Sequence, residues 1–109
     1  MQDLAGSPLD VLGWDALRLN GELTVRVNYR PLLSTWPKPL ETRASIPNDE
    51  WLRIGGVKAF MDGALGAGTA LMFAPFDDDP GNTGVAMPEA EGMEERIAKA
   101  DAAGMQVEV

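Results

Sequence analysis

Three stretches of this chain alternate apolar with polar residues, and long connections separate them. From Leu23 to Arg30, the residues Leu23, Val25, Val27 and Tyr29 share one side, and Thr24, Arg26, Asn28 and Arg30 the other. Gly55 to Asp62 sets Val57, Ala59 and Met61 against Lys58, Phe60 and Asp62. Met105 to Val109 sets Met105, Val107 and Val109 against Gln106 and Glu108. A period of two predicts strands. The intervening segments are too long for hairpins, so the order helix–strand–strand–helix–strand implies parallel pairing through crossovers. A parallel sheet covered on both sides is apolar on both faces. A polar face recurring on successive strands points instead to a barrel interior or a site.

Two helices are predicted. Ser7-Pro8 opens the first, because serine caps free amides and proline fits the first turn. Leu9, Leu12, Ala16 and Leu19 then recur at helical spacing over 8–19, and Asn20-Gly21 supplies a stop. The second runs from Glu89 to Ala103, with Met93, Ile97 and Ala100 as its apolar stripe, Glu95 and Lys99 paired four residues apart, and Gly104 ending it. Pro31 to Pro47 holds four prolines and reads as a loop; Asn48 to Leu52 reads as a short helical turn. Gly63 to Pro88 is a long loop rich in glycine and acid, a length that usually marks function or mobility.

At 109 residues, 45% hydrophobic and 24% charged, the chain has the make-up of one soluble globular domain, 1–109. It has no cysteine, which excludes disulfides, thiol catalysis and thiolate metal sites and suits a reducing cytoplasm. It also has no histidine. Hydrolytic metal sites and general-base triads draw on imidazole, so self-sufficient catalysis of either kind is not expected. The net charge of -8 comes from the second part: residues 62–109 set ten acids against Arg96 and Lys99. That balance argues against nucleic acid and anionic membranes as partners, and most of these acids read as a solubilising surface. Met1 to Asp10 contains no basic residue, so no signal-peptide start is read there, and Gly63 to Phe76 is too short and glycine-rich to span a bilayer.

Lys58 is the residue singled out by position. A lysine inside a strand pattern is costly to bury, and burial favours the neutral amine, a nucleophile able to take up carbon dioxide as a carbamate. The plainer alternative is a solvent-facing lysine on an edge strand, or one paired with Asp62. Other motifs fail on inspection. Gly63 to Thr69 has the GxxxxG spacing of a phosphate loop but threonine in place of its lysine. Asp77-Asp78-Asp79-Pro80-Gly81-Asn82 misses the glycine or the glutamate of a calcium loop in both frames, and reads as a solvated turn. Trp14, Trp36 and Trp51 lie too far apart for a stacking platform.

Longer motifs carry a resemblance. Leu52-Arg-Ile-Gly-Gly-Val-Lys-Ala-Phe-Met-Asp-Gly-Ala-Leu-Gly-Ala-Gly-Thr-Ala70, followed by Ala74-Pro-Phe-Asp-Asp-Asp-Pro-Gly-Asn-Thr-Gly84, resembles the amidohydrolase-3 group, the branch containing the N-substituted formamide deformylases. Ala103 to Val109 is similar to the strand that in this family runs into a His-Ala-Ile-Gly-Asp motif. The resemblance implies an α/β fold: a partial (β/α)8 TIM barrel, roughly strands three to five with their crossover helices, with the site at the C-terminal strand ends. It implies Lys58 as a carboxylated metal ligand, and Asp62 and Gly63 as substrate contacts or supports of the metal ligands. It further implies divalent metal, zinc by expectation, that generates hydroxide to cleave a carbon–nitrogen, amide-like bond of a small molecule.

Ala64 replaces the usual serine and Gly68 a common arginine, which alters the substrate contacts. The histidine pair, the later histidines and the last-strand aspartate of the family have no counterpart. The expectation is therefore an internal fragment, silent on its own, holding no metal and leaving Lys58 unmodified, with self-association through exposed strand edges. The competing expectation is a non-catalytic binding or assembly module using the acidic loop 63–88.

Overall fold

The structure, a computed structural model, describes residues 1–4, 7–46 and 48–109. Strands and helices follow one another as β1 (Gln2–Leu4), α1 (Pro8–Leu19), β2 (Val27–Arg30), α2 (Lys38–Ser45), β3 (Leu52–Ile54), β4 (Gly56–Lys58), α3 (Met93–Ala102) and β5 (Gln106–Glu108). Every strand pairing is parallel: β1 with β2, β2 with β3, and β4 with β5. A bridge from Leu32 to Lys58 ties the two sheets, so β3 and β4 act as one interrupted strand between β2 and β5. The result is a βαβαβαβ succession with neighbours in chain order, as the crossovers require.

Helix α1 forms where its caps demand. Ser7 Oγ accepts from the Leu9 amide at 3.2 Å, and Asp10 Oδ2 accepts from the Ser7 amide at 2.5 Å, a reciprocal capping box. At its end, Gly21 has φ 71°, its amide donates to the Arg18 carbonyl and that of Glu22 to Leu17. The stripe that buries is not the predicted one. Val11 is fully buried and Trp14 half-buried, whereas Leu9, Leu12, Ala16 and Leu19 stay exposed. The helix carries two apolar stripes, and among the described residues one of them has a layer to pack against.

The proline-rich segment 31–46 is not a plain loop, and Pro47 lies outside the described residues. It holds a 3-10 turn, Leu33–Thr35, and helix α2, with Pro37 as N-cap and Pro39 in the first turn. Proline is harmless there because first-turn amides have no intrahelical acceptor. The predicted strand 23–30 starts late, because the Glu22 and Leu23 amides both bond back to Leu17. The turn at 48–52 is not helical. Asp49 Oδ1 accepts from the Trp51 and Leu52 amides at 2.8 and 2.9 Å, and Leu52 already begins β3. Strand β1 escaped the sequence pattern altogether. Helix α3 starts later than predicted, after a 3-10 turn at Pro88–Ala90 and a left-handed Gly92. Its Glu95–Lys99 pair forms at 2.7 Å, and Gly104 ends it with φ 69°.

Val27, Tyr29, Leu52, Ile54, Val57 and Ala59 meet Val11, Leu33, Met93, Ala100 and Met105 in one core. Burying each large apolar side chain contributes roughly 1.5–3 kcal/mol. The opposite strand face is polar.

The lysine face and its register step

Strand β3–β4 contains one extra residue relative to β2. Tyr29 pairs with Ile54, an offset of 25, whereas Leu32 pairs with Lys58, an offset of 26. The hydrogen bonds agree: Gly55 donates to the Tyr29 carbonyl, but the next donation, to Pro31, comes from Lys58 rather than Val57. The step falls at Gly55-Gly56, where side chains have no room. A Cβ on Gly55 would lie 2.0 Å from Asn28 Oδ1, and one on Gly56 2.4 Å from the Gln106 carbonyl oxygen. Such a bulge re-aims whatever follows it. Without it, alternation from Leu52 and Ile54 would turn Lys58 into the helix-covered core. With it, Val57 and Ala59 take the core and Lys58 joins the polar face.

On that face Lys58 is half-buried, and its Nζ lies 4.7 Å from the centre of the Phe60 ring, a cation–π contact. Among the described residues no ion pair reaches it. The pairing with Asp62 offered as the plainer sequence alternative does not form. Asp62 Oδ2 instead accepts from the Leu71 amide at 2.8 Å, and its backbone bridges Ala86, so it pins the long loop. Gly63 follows, and a Cβ there would sit 2.1 Å from Thr69 Oγ1. A cavity of about 160 Å³ opens beside Lys58, lined by Leu33, Phe60, Met87, Met93 and Arg96 among others.

The loop 63–88 is ordered by its own contacts. Asn82 donates to the Gly68 carbonyl at 2.8 Å, Met72 donates to Thr83, and Gly84, with φ 83°, packs where a Cβ would lie 1.9 Å from the Ala70 carbonyl. The Asp77–Asn82 stretch is the turn expected of it, closed by the Asn82 amide on the Asp79 carbonyl.

Three residues that the alternation put on polar faces come together here, a meeting the sequence did not announce. Arg30 is 5% exposed; its Nη1 meets Glu108 Oε1 as an ion pair lacking hydrogen-bond alignment, and its Nη2 donates to Gln106 Oε1 at 3.2 Å. Arg30 and Glu108 did alternate onto polar faces, but which polar residues of different strands meet depends on register, which a single sequence does not carry.

A family model described as the amidohydrolase family matches residues 1–109. The chain belongs to the amidohydrolase family. Two curated relatives are Protein LONG AFTER FAR-RED 3 of Arabidopsis thaliana, 35% identical over 71% of the chain, and Putative amidohydrolase YtcJ of Bacillus subtilis (strain 168), 42% identical over 54%. The chain spans only 14% and 11% of their lengths. Two solved structures, uncharacterized metal-dependent hydrolases from Pyrococcus furiosus and Pyrococcus horikoshii OT3, superpose with TM-scores of 0.74 and 0.71 at 31% and 29% identity. They cover 96% and 98% of this chain, which corresponds to 22% of each of theirs.

Proposed function

We propose that this chain is one stretch of a metal-dependent amidohydrolase barrel that cleaves a carbon–nitrogen, amide-like bond of a small molecule, with Lys58 supplying one metal ligand. The observation that carries this reading is the register step. A parallel strand spends an extra residue to move one lysine out of the core and onto a polar face, and in a closed barrel that face is the interior. The four parallel strand positions would be consecutive barrel staves, one more than the three first expected. The metal-dependent hydrolases that superpose on the chain support the same assignment.

The residues at hand do not fit a complete metal centre. Among the described residues no three histidine, cysteine, aspartate or glutamate side chains cluster as ligands, and the sequence has no histidine. A bound divalent ion supplies an activated water and polarises a carbonyl. What Lys58 itself offers is an amine that, once its ammonium has given up one proton, can add through its lone pair to carbon dioxide and release a second, leaving an anionic carbamate oxygen as a ligand. Asp62 and Gly63, at the start of the loop beside the lysine, belong to the reading as substrate contacts or supports of the metal ligands. Zinc as the metal, a cytoplasmic setting and inactivity of the 109 residues alone complete the proposal.

Metal titration of the purified chain tests it. Elemental analysis after dialysis against zinc should find well under one ion per chain, and N-formyl and N-acyl amines should remain uncleaved. Stoichiometric zinc, or turnover by the chain alone, overturns the dependence on further strands. Reading the gene past the codon for Val109 tests the rest: a frame continuing into a histidine-bearing strand is expected, and an immediate stop codon favours the binding-module alternative.

A further inference from the structure

Lys58 and Glu108 are direct partners in the pairing of β4 with β5. Their side chains leave the same face of adjacent strands, whose backbones run about 5 Å apart. A lysine and a glutamate so placed are expected to pair. They do not. Lys58 lies over Phe60, and the Glu108 carboxylate is taken by Arg30 from the far side of β4. The route is open because of a glycine. Two residues back from the Leu32–Lys58 bridge, Arg30 stands level with Gly56, which has no side chain to block the passage over β4 to Gln106 and Glu108. Arginine also outcompetes lysine there, because its Nη1 meets the carboxylate as an ion pair while its Nη2 donates to Gln106 Oε1. At 5% exposure it has little freedom to let go.

We propose that Arg30 is a positioning residue that withholds Glu108 from Lys58 and so keeps the lysine amine free for chemistry. The inference deepens the reading of Lys58 as a functional amine and rests on it. It assigns a task to an ion pair that the hydrolytic reading leaves unused. With Arg30 in place, the carboxylate across the pairing is spoken for; Lys58 lies over the Phe60 ring, and among the described residues no ion pair reaches it, although Glu89 and Arg96 line the same cavity.

Competitive labelling of the full 109-residue chain tests it. The chain is treated briefly with N-hydroxysuccinimidyl acetate, and acetylation of Lys58 is read by peptide mass spectrometry against exposed Lys38 in the same sample. Arg30→Gln should lower the Lys58-to-Lys38 ratio about threefold, the scale of a partly exposed ion pair, as Glu108 turns to Lys58. Adding Glu108→Gln to that variant should restore the ratio, a recovery that mere loosening of the fold would not give. Glu108→Gln alone should leave the ratio as it was. An unchanged ratio in Arg30→Gln, no recovery in the double variant, or a threefold rise in Glu108→Gln alone overturns the proposal. The assay contains neither metal nor substrate. If Lys58 holds no metal in the longer hydrolase, the metal-ligand reading fails while this labelling pattern stands.

Discussion

Asp49 organises the entry to a strand with one carboxylate. Its Oδ1 accepts the Leu52 and Trp51 amides, and its Oδ2 meets Arg18 Nη1 at 3.2 Å. The Leu52 hydrogen bond first, then that of Trp51 and the Arg18 charge, hold the carboxyl below the ordinary aspartate range. A group whose value is depressed on folding stabilises the fold above its unfolded value and loses that contribution as pH falls through the folded one. Urea denaturation should therefore show stability declining on acidification below about pH 4. Asp49→Asn should flatten part of the decline and lower stability at neutral pH. Tyr29 offers a second single-atom test: its hydroxyl donates to the Ser7 carbonyl at 2.7 Å, and Tyr29→Phe should cost about 1 kcal/mol in the same titration. The place of Lys58 on the polar face was legible in the sequence from its alternation with Val57 and Ala59. Arg30 was not, since nothing along the chain says that it reaches across β4 to Glu108.

At the scale of elements, the signals that read correctly were the ones with local physics. Ser7 and Gly21 close α1, and Gly104 closes α3, because capping is decided within a few residues. Ser7→Ala should cost about 1 kcal/mol, measured by thermal melting followed by circular dichroism. Helix α2 was hidden by its prolines, although both sit where a helix tolerates them. The division of 52–58 into β3 and β4 was hidden for a different reason: a bulge is defined against a partner strand, and the partner's register is a long-range fact. Its packing can be probed directly. Gly56→Ala sets a Cβ against the backbone of β5 and should destabilise by about 1–3 kcal/mol. The same change at Gly13, where a Cβ meets nothing within 4 Å, should stabilise α1 slightly.

As a whole the molecule is drawn out. Its radius of gyration is 16.7 Å, with extents of 53 × 30 × 18 Å, against about 13 Å for a compact domain of this length. The excess goes with uncovered apolar surface: Leu9, Leu12 and Leu19 along α1 are 75%, 57% and 70% exposed, and Phe73 on the long loop is fully so. Surface of this kind calls for a cover. Sedimentation velocity should show concentration-dependent association of the isolated chain, and Leu12→Asp with Leu19→Asp should shift it toward monomer; a monomer at every concentration speaks against this. The parallel α/β class was readable from alternation and spacing. How the strands divide into a three-stranded and a two-stranded sheet was not, because that depends on register. Within them, each pairing joins a strand to the one synthesised just before it. A nascent chain emerging from the ribosome thus finds the template for each of these paired strands already laid.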